Sequence, residues 1–229
     1  MQPRFLGQLG LADLVTAASA AIGFAAAASA IVDPAVAARL ILLAAIADGL
    51  DGIIARARGG TAVGPLLDSL ADVSSFAVAP AILVYVVATD GGSTSFDTPV
   101  VVASILIPAI YVSMAVVRLG FYTLEDSETP ETKGVQTTLA ATVLAASYLA
   151  GVSEPWILLG VTALFAYLMI ASITYPDLYV RDAVILGALQ TLAIAFPTAF
   201  SRAFPRSLLL FAVAYLVLAP FIYWRDTTG

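Results

Sequence analysis

"ADGLDGIIARARGGTAVGPLLDSLAD", Ala47 to Asp72, carries four aspartates and two arginines inside a strongly apolar chain. Ionisable groups in a membrane segment are expensive and usually functional. Read as the end of one helix and the start of the next, the stretch pairs its acids. At about 100° per residue, Asp48 and Asp51 stand about 60° apart on one face, and Asp68 and Asp72 about 40° apart. Between them, "RARGGTAVGP" holds Gly59, Gly60, Gly64 and Pro65, which suits a tight reversal. Two antiparallel helices then bring the pairs together. A solvated helix end, or a helix dipole, accounts for any one of these acids. Four at matched spacing point to a site.

The surrounding chain sets the medium. Of 229 residues, 61% are hydrophobic and 11% charged, against about 25% charged in soluble domains; mean hydropathy is +0.98. The fold class is therefore an all-α, polytopic membrane helical bundle. Apolar runs of about 20 residues read as transmembrane helices. Eight are visible: Leu14–Val32, Ala35–Ala57, Pro65–Ala88, Pro99–Leu119, Val135–Ala150, Pro155–Tyr175, Ala183–Pro197 and Ser207–Trp224. The fifth and seventh are short. Turn chemistry separates them at Asp33–Pro34, Ala88–Pro99, Thr123–Gly134 and Tyr175–Asp182. No cleavable signal peptide is convincing in Met1–Gly10, and no soluble domain or internal repeat is evident. With an inside N-terminus, Arg4, Arg56, Arg58, Arg118, Lys133, Arg181 and Arg225 lie inside, and Arg39, Arg202 and Arg206 outside. That bias favours N-in, C-in topology and places the opening stretch at the cytoplasmic face of the cytoplasmic membrane.

Composition also excludes chemistries. There is no cysteine and no histidine, so thiolate sites, His-ligated zinc and a Ser-His-Asp triad are impossible within the chain. Net charge is −6, with one lysine among ten basic residues, which argues against a nucleic-acid partner. Clustered carboxylates in a partly dry site take up protons or bind cations. Ligation by carboxylates alone favours Mg²⁺, Mn²⁺ or Ca²⁺, and Mg²⁺ commonly borrows ligands from substrate phosphates. Arg56 offers a fixed fork for phosphate oxygens. Gly52 and Gly64 let a bulky ligand approach the backbone. Arg58 reads as an interface anchor.

Asp48-x-x-Asp51-Gly52-x-x-Ala55-Arg56, seven residues, then Gly64-x-x-x-Asp68-x-x-x-Asp72 resembles the signature of the CDP-alcohol phosphotransferases. That signature is D-x-x-D-G-x-x-A-R, seven or eight residues, and G-x-x-x-D-x-x-x-D, and all eight fixed positions are filled. The resemblance covers roughly residues 10–180. It implies a six-helix catalytic core, here 1–180, with residues 181–229 adding two C-terminal transmembrane segments. It also implies transfer of a phosphatidyl-type group from a CDP-linked lipid to an alcohol with release of CMP, among membrane lipids, in a homodimer. By position, Asp48, Asp51 and Asp68 are ligands of Mg²⁺ or Mn²⁺. Asp72 completes that site and serves as general base, while Gly52, Ala55, Arg56 and Gly64 line the CDP site. Members often begin their first helix P-N-x-x-T-x-x-N-x-x-x-G. Here "ADLVTAASAAIG" keeps Thr16, a candidate nucleotide contact, and Gly23, with Asp13 and Ser19 in place of the asparagines.

The later chain resembles the phosphatidylserine and archaetidylserine synthase branch. "VVRLGFYTLED" is similar to R-L-A-R-F-N, "KGVQTTLAA" to F-x-G-L-P-x-P-A-A, and "LMIASITYPDL" to M-x-S-x-x-x-Y-P. Phe121 and Thr123 stand where that branch has arginine and asparagine, and both prolines of the second stretch are missing. L-serine is the favoured acceptor, with Arg118 and Lys133 as candidates for its carboxylate. Glycerol 3-phosphate or an inositol phosphate is the alternative. A cation transporter is the reading from a different class, but transporters hold their acids near the bilayer midplane, whereas these gather at one face.

Overall fold

Asp33 and Pro34 make the first turn of the bundle. The Asp33 carboxylate accepts hydrogen bonds from the backbone N–H of Ala35 (2.8 Å) and Val36 (3.4 Å), and Pro34 opens the next helix at a position that needs no donor. This turn joins α1 (Leu11–Ala30) to α2 (Pro34–Arg58). Small buried residues line both helices, among them Ala26, Ala30, Ala37, Ala38 and Ala44, so their backbones approach closely. The computed structural model describes residues 8–90, 98–126, 131–176 and 180–222. Arg4, Arg225 and the end of the eighth apolar run lie outside them, as do parts of the three longer breaks.

α2 ends at Gly59, whose φ is +86°. The chain reverses into α3 (Gly64–Asp72), passes through a π-helical turn at Val73–Val78 and continues as α4 (Ala79–Ala88). The sequence predicts one regular helix here, and the π turn departs from it. Its cause lies in α1. The Ser75 hydroxyl donates to Ser19 O at 2.9 Å and that of Ser74 to Ala20 O at 3.3 Å. A β-carbon at Gly23 would stand 2.7 Å from Ser75 Cα, so only glycine admits this contact.

α5 (Pro99–Phe121) runs into a second π turn, Tyr122–Asp126. Strand β1 (Glu131–Lys133) pairs antiparallel with β2 (Thr174–Pro176), with Thr132 opposite Tyr175. Between the strands lie α6 (Thr137–Ala150) and α7 (Pro155–Leu168), and after them α8 (Val180–Ala195) and α9 (Ala199–Ile222). The sixth apolar run therefore ends as helix at Leu168 rather than Tyr175, because its last residues enter the ladder. Residues Phe200, Ser201 and Arg202 have left-handed backbone conformations, so α9 is kinked in its first turn.

Among the described residues, four helices are long and apolar enough to span a membrane: Leu11–Ala30, Gly64–Ala88, Pro99–Leu124 and Ala199–Phe221. The protein is an all-α, integral membrane protein. The other expected spans fall short for physical reasons. α2 has 25 residues but carries Arg39, Asp48, Asp51, Arg56 and Arg58. α6 and α7 have 14 residues each, about 21 Å at 1.5 Å per residue, against a hydrocarbon core of about 30 Å.

Two apolar clusters hold the bundle. Ile41, Leu42, Phe76 and Leu83 lock α2 to the first π turn and α4. Tyr111, Leu144, Leu158 and Phe165 join α5, α6 and α7, and the Tyr111 hydroxyl donates to Phe76 O at 2.7 Å. The end of α3, at Asp72, meets the start of α6, at Thr137, beside Asp48 of α2.

Candidate active site

The reversal between α2 and α3 brings Asp48, Asp68 and Asp72 together. Each offers a carboxylate oxygen, and the three oxygens lie within 4.8 Å of one another. Asp48 and Asp68 are half-buried and Asp72 is buried. Thr137, the first residue of α6, donates its hydroxyl to Asp72 Oδ2 at 3.0 Å. Asp72 Oδ1 is buried and has no hydrogen-bond partner among the described residues. Carboxylates this close repel one another unless protons or a cation offset their charge. An all-oxygen donor set with one buried, unpartnered oxygen fits a hard divalent cation.

Asp51, the fourth acid expected at the metal, lies near enough to Asp48 and Asp68 to interact with them electrostatically and has a hydrogen-bond partner of its own. Its Oδ2 accepts the Thr16 hydroxyl at 2.6 Å, and the side chain is buried. The rotation of about 60° that separates residues three apart turns Asp51 toward α1, while Asp48 faces α3. Thr16 accordingly holds an acid. A second tie lies beside it. Asp13, buried, accepts from the Gly10 N–H at 2.7 Å and from the Thr61 hydroxyl at 2.9 and 3.0 Å. Asp13 thus pins the start of α1 to the loop that joins the two acid pairs.

A cavity of about 250 Å³ opens between these elements. Thr16, Asp51, Gly52, Ala55, Gly64 and Asp68 all line it. Tyr122 and Thr123 close its side from the π turn after α5, where Thr123 hydrogen-bonds Ser69 of α3. Arg56 is exposed; its guanidinium lies 3.5 Å from where a β-carbon at Gly52 would stand, at the cavity's edge.

Arg118, a candidate for the acceptor's carboxylate, lies in the last turn of α5. It is buried, with Nη2 donating to Thr132 Oγ1 at 3.2 Å and its guanidinium carbon 5.3 Å from the centre of the Tyr122 ring. It is close enough to Asp72 to interact with it electrostatically. Lys133, next to Thr132, is exposed. Thr61, Tyr122, Thr132 and Thr137 carried no sequence signal of their own, since single threonines and tyrosines in an apolar chain match no spacing rule.

The comparisons with known proteins agree with this arrangement. Archaetidylserine synthase of Methanothermobacter thermautotrophicus is 34% identical over 144 residues, 60% of this chain and 56% of that protein. CDP-diacylglycerol–serine O-phosphatidyltransferase of Mycobacterium leprae is 36% identical over 98 residues, 42% of this chain and 30% of that protein. The chain thus spans less than two thirds of the length of either relative. The family model described as CDP-alcohol phosphatidyltransferase matches residues 9–175, a range that contains the acid cluster, the cavity and strand β1; the chain belongs to the CDP-alcohol phosphatidyltransferase family.

Proposed function

We propose that this protein is a membrane transferase. It moves a phosphatidyl-type group, diacylglycerol phosphate or archaeol phosphate, from a CDP-linked lipid to the hydroxyl of L-serine and releases CMP. The observation that carries the reading is the convergence of Asp48, Asp68 and Asp72 beside a cavity lined by Asp51, Gly52, Ala55 and Gly64 of the same signature. The names of the two relatives support serine as acceptor.

In this reading Asp48, Asp68 and Asp72 hold Mg²⁺ or Mn²⁺, and Asp51, lining the same cavity as Asp68, completes the acidic set. A divalent cation there neutralises the pyrophosphate and stabilises the departing CMP. Gly52, Ala55 and Gly64 admit the CDP group along bare backbone, Arg56 forks onto its phosphate oxygens, and Thr16 keeps Asp51 in place. Asp72 takes the proton of the serine hydroxyl. The serine oxygen bonds to the phosphorus that carries the lipid, the bond from that phosphorus to the bridging oxygen breaks, and its electron pair leaves with CMP. Positioning and charge neutralisation carry most of such a reaction. Arg118 and Lys133 receive the serine carboxylate. The catalytic core spans 1–180, residues 181–229 extend it, the site faces the cytoplasm across the cytoplasmic membrane, and the protein works as a homodimer.

The test is CMP release by purified protein in detergent with CDP-archaeol or CDP-diacylglycerol, Mg²⁺ or Mn²⁺, and a panel of acceptors. Serine is expected to drive release. If glycerol 3-phosphate or an inositol phosphate drives it and serine does not, the acceptor is wrong and the transferase chemistry stands.

A further inference from the structure

The acid cluster is held by one contact that lies outside the aspartate signature. Thr137 opens α6, is 1% exposed and donates to Asp72 Oδ2 at 3.0 Å; Asp72 is 8% exposed. The bond restrains Oδ2, and Oδ1, which has no hydrogen-bond partner among the described residues, is left for the cluster.

The place of Thr137 is set from upstream. Gly134 has φ +75°, and a β-carbon there would run into the Met169 carbonyl oxygen. The Gly134 N–H donates to Ile173 O at 2.8 Å and that of Val135 to Leu168 O at 3.0 Å. Just before them, Lys133 and Thr132 sit in the ladder opposite Thr174 and Tyr175, and Thr132 accepts from Arg118. One short stretch, Thr132–Thr137, therefore touches Arg118 at one end and Asp72 at the other.

We infer that Thr137 is a positioning residue for Asp72. Its hydroxyl turns Oδ1 toward Asp48 and Asp68, and the ladder with Gly134 fixes Thr137 relative to Arg118. The inference rests on reading the acids as a divalent-cation site. Partners that orient a ligating carboxylate typically contribute about 10–100-fold to metal affinity or activity.

Mn²⁺ binding to the purified full chain in detergent, followed by electron paramagnetic resonance, tests it alongside CMP release. Thr137→Val keeps the shape and removes the hydroxyl. It is expected to weaken Mn²⁺ binding about 10-fold or more and, at saturating Mn²⁺, to lower kcat with the KM for CDP-lipid unchanged. Thr137→Ser is expected to restore both. Thr142→Val is the control: Thr142 is also buried in α6, and its Oγ1 accepts from Gln190 away from the acids, so neither quantity should move. Wild-type Mn²⁺ affinity and kcat in Thr137→Val overturn the inference, as does an equal loss in Thr142→Val. If the wild type binds Mn²⁺ and releases no CMP, the reaction is wrong and the Mn²⁺ arm still decides Thr137. If the wild type binds no Mn²⁺, both readings fall.

Discussion

The Thr16 hydroxyl donates to Asp51 Oδ2 across 2.6 Å and joins the first helix to the second at the depth of the acids. This bond holds Asp51 at the wall of the cavity that Asp68 also lines. Thr16→Val leaves a buried carboxylate oxygen without that donor, a loss of about 1–3 kcal/mol. The expected outcome is a rise of about 10-fold in the KM for CDP-lipid, equivalent to about 1.4 kcal/mol, with kcat changed less. Steady-state kinetics at saturating serine measure it; an unchanged KM removes Thr16 from the CDP site.

Asp72→Asn separates the roles of the acids. Loss of a general base typically costs about 10²–10⁴ in rate, so turnover should fall by that order while CDP-lipid binding survives. Asp68→Asn and Asp51→Asn should weaken Mn²⁺ and CDP-lipid binding together, whereas Asp72→Asn, whose carboxylate is also read as a ligand, should weaken Mn²⁺ binding and, at saturating Mn²⁺, lower turnover more than CDP-lipid binding. Binding isotherms beside turnover numbers distinguish the two patterns. An Asp72→Asn variant with wild-type turnover removes the base.

The π turn after Asp72 gives a stability prediction. At Gly23 a β-carbon would lie 2.5 Å from Ser75 Oγ and 2.7 Å from Ser75 Cα. Gly23→Ala should destabilise the protein by about 1–3 kcal/mol, the usual cost of overpacking, and lower the thermal midpoint in detergent. Gly49→Ala is the comparison, because nothing lies within 4 Å of a β-carbon there. Equal midpoints for the two variants contradict the close approach of α1 to the turn.

The acid pairs were legible because helical spacing and a glycine-rich reversal are local, and the same logic placed Gly52 and Gly64 at the cavity. The different partners of Asp48 and Asp51 were not. They depend on which neighbouring helix each faces, and only the packing of α1 decides that. The π turn was invisible for a similar reason: Ser74 and Ser75 look like ordinary polar residues until the carbonyls of Ser19 and Ala20 come within reach. The loop before Gly134 read as irregular, yet it yields a strand whose partner lies some forty residues downstream. Charge counting put Arg118 on the inner side but could not show that it is buried against Thr132 and Tyr122, since that depends on the ladder and the π turn.

Arg118 bears on the choice of acceptor. Its guanidinium lies beside Thr132 and Tyr122, where a planar fork matters more than charge alone. Arg118→Ala is expected to raise the KM for serine more than the KM for CDP-lipid, and Arg118→Lys to recover only part of the loss. Equal effects on both substrates count against a serine contact.

The central claim is a cation-dependent transfer to serine. Purified protein in detergent is incubated with CDP-archaeol or CDP-diacylglycerol, Mn²⁺ or Mg²⁺, and carbon-labelled L-serine, with and without EDTA. The account predicts that label enters the lipid phase in step with CMP release, that EDTA stops both, and that added Mn²⁺ or Mg²⁺ restores both. Label that stays in the aqueous phase under every condition, or transfer that persists in thoroughly chelated protein, contradicts it.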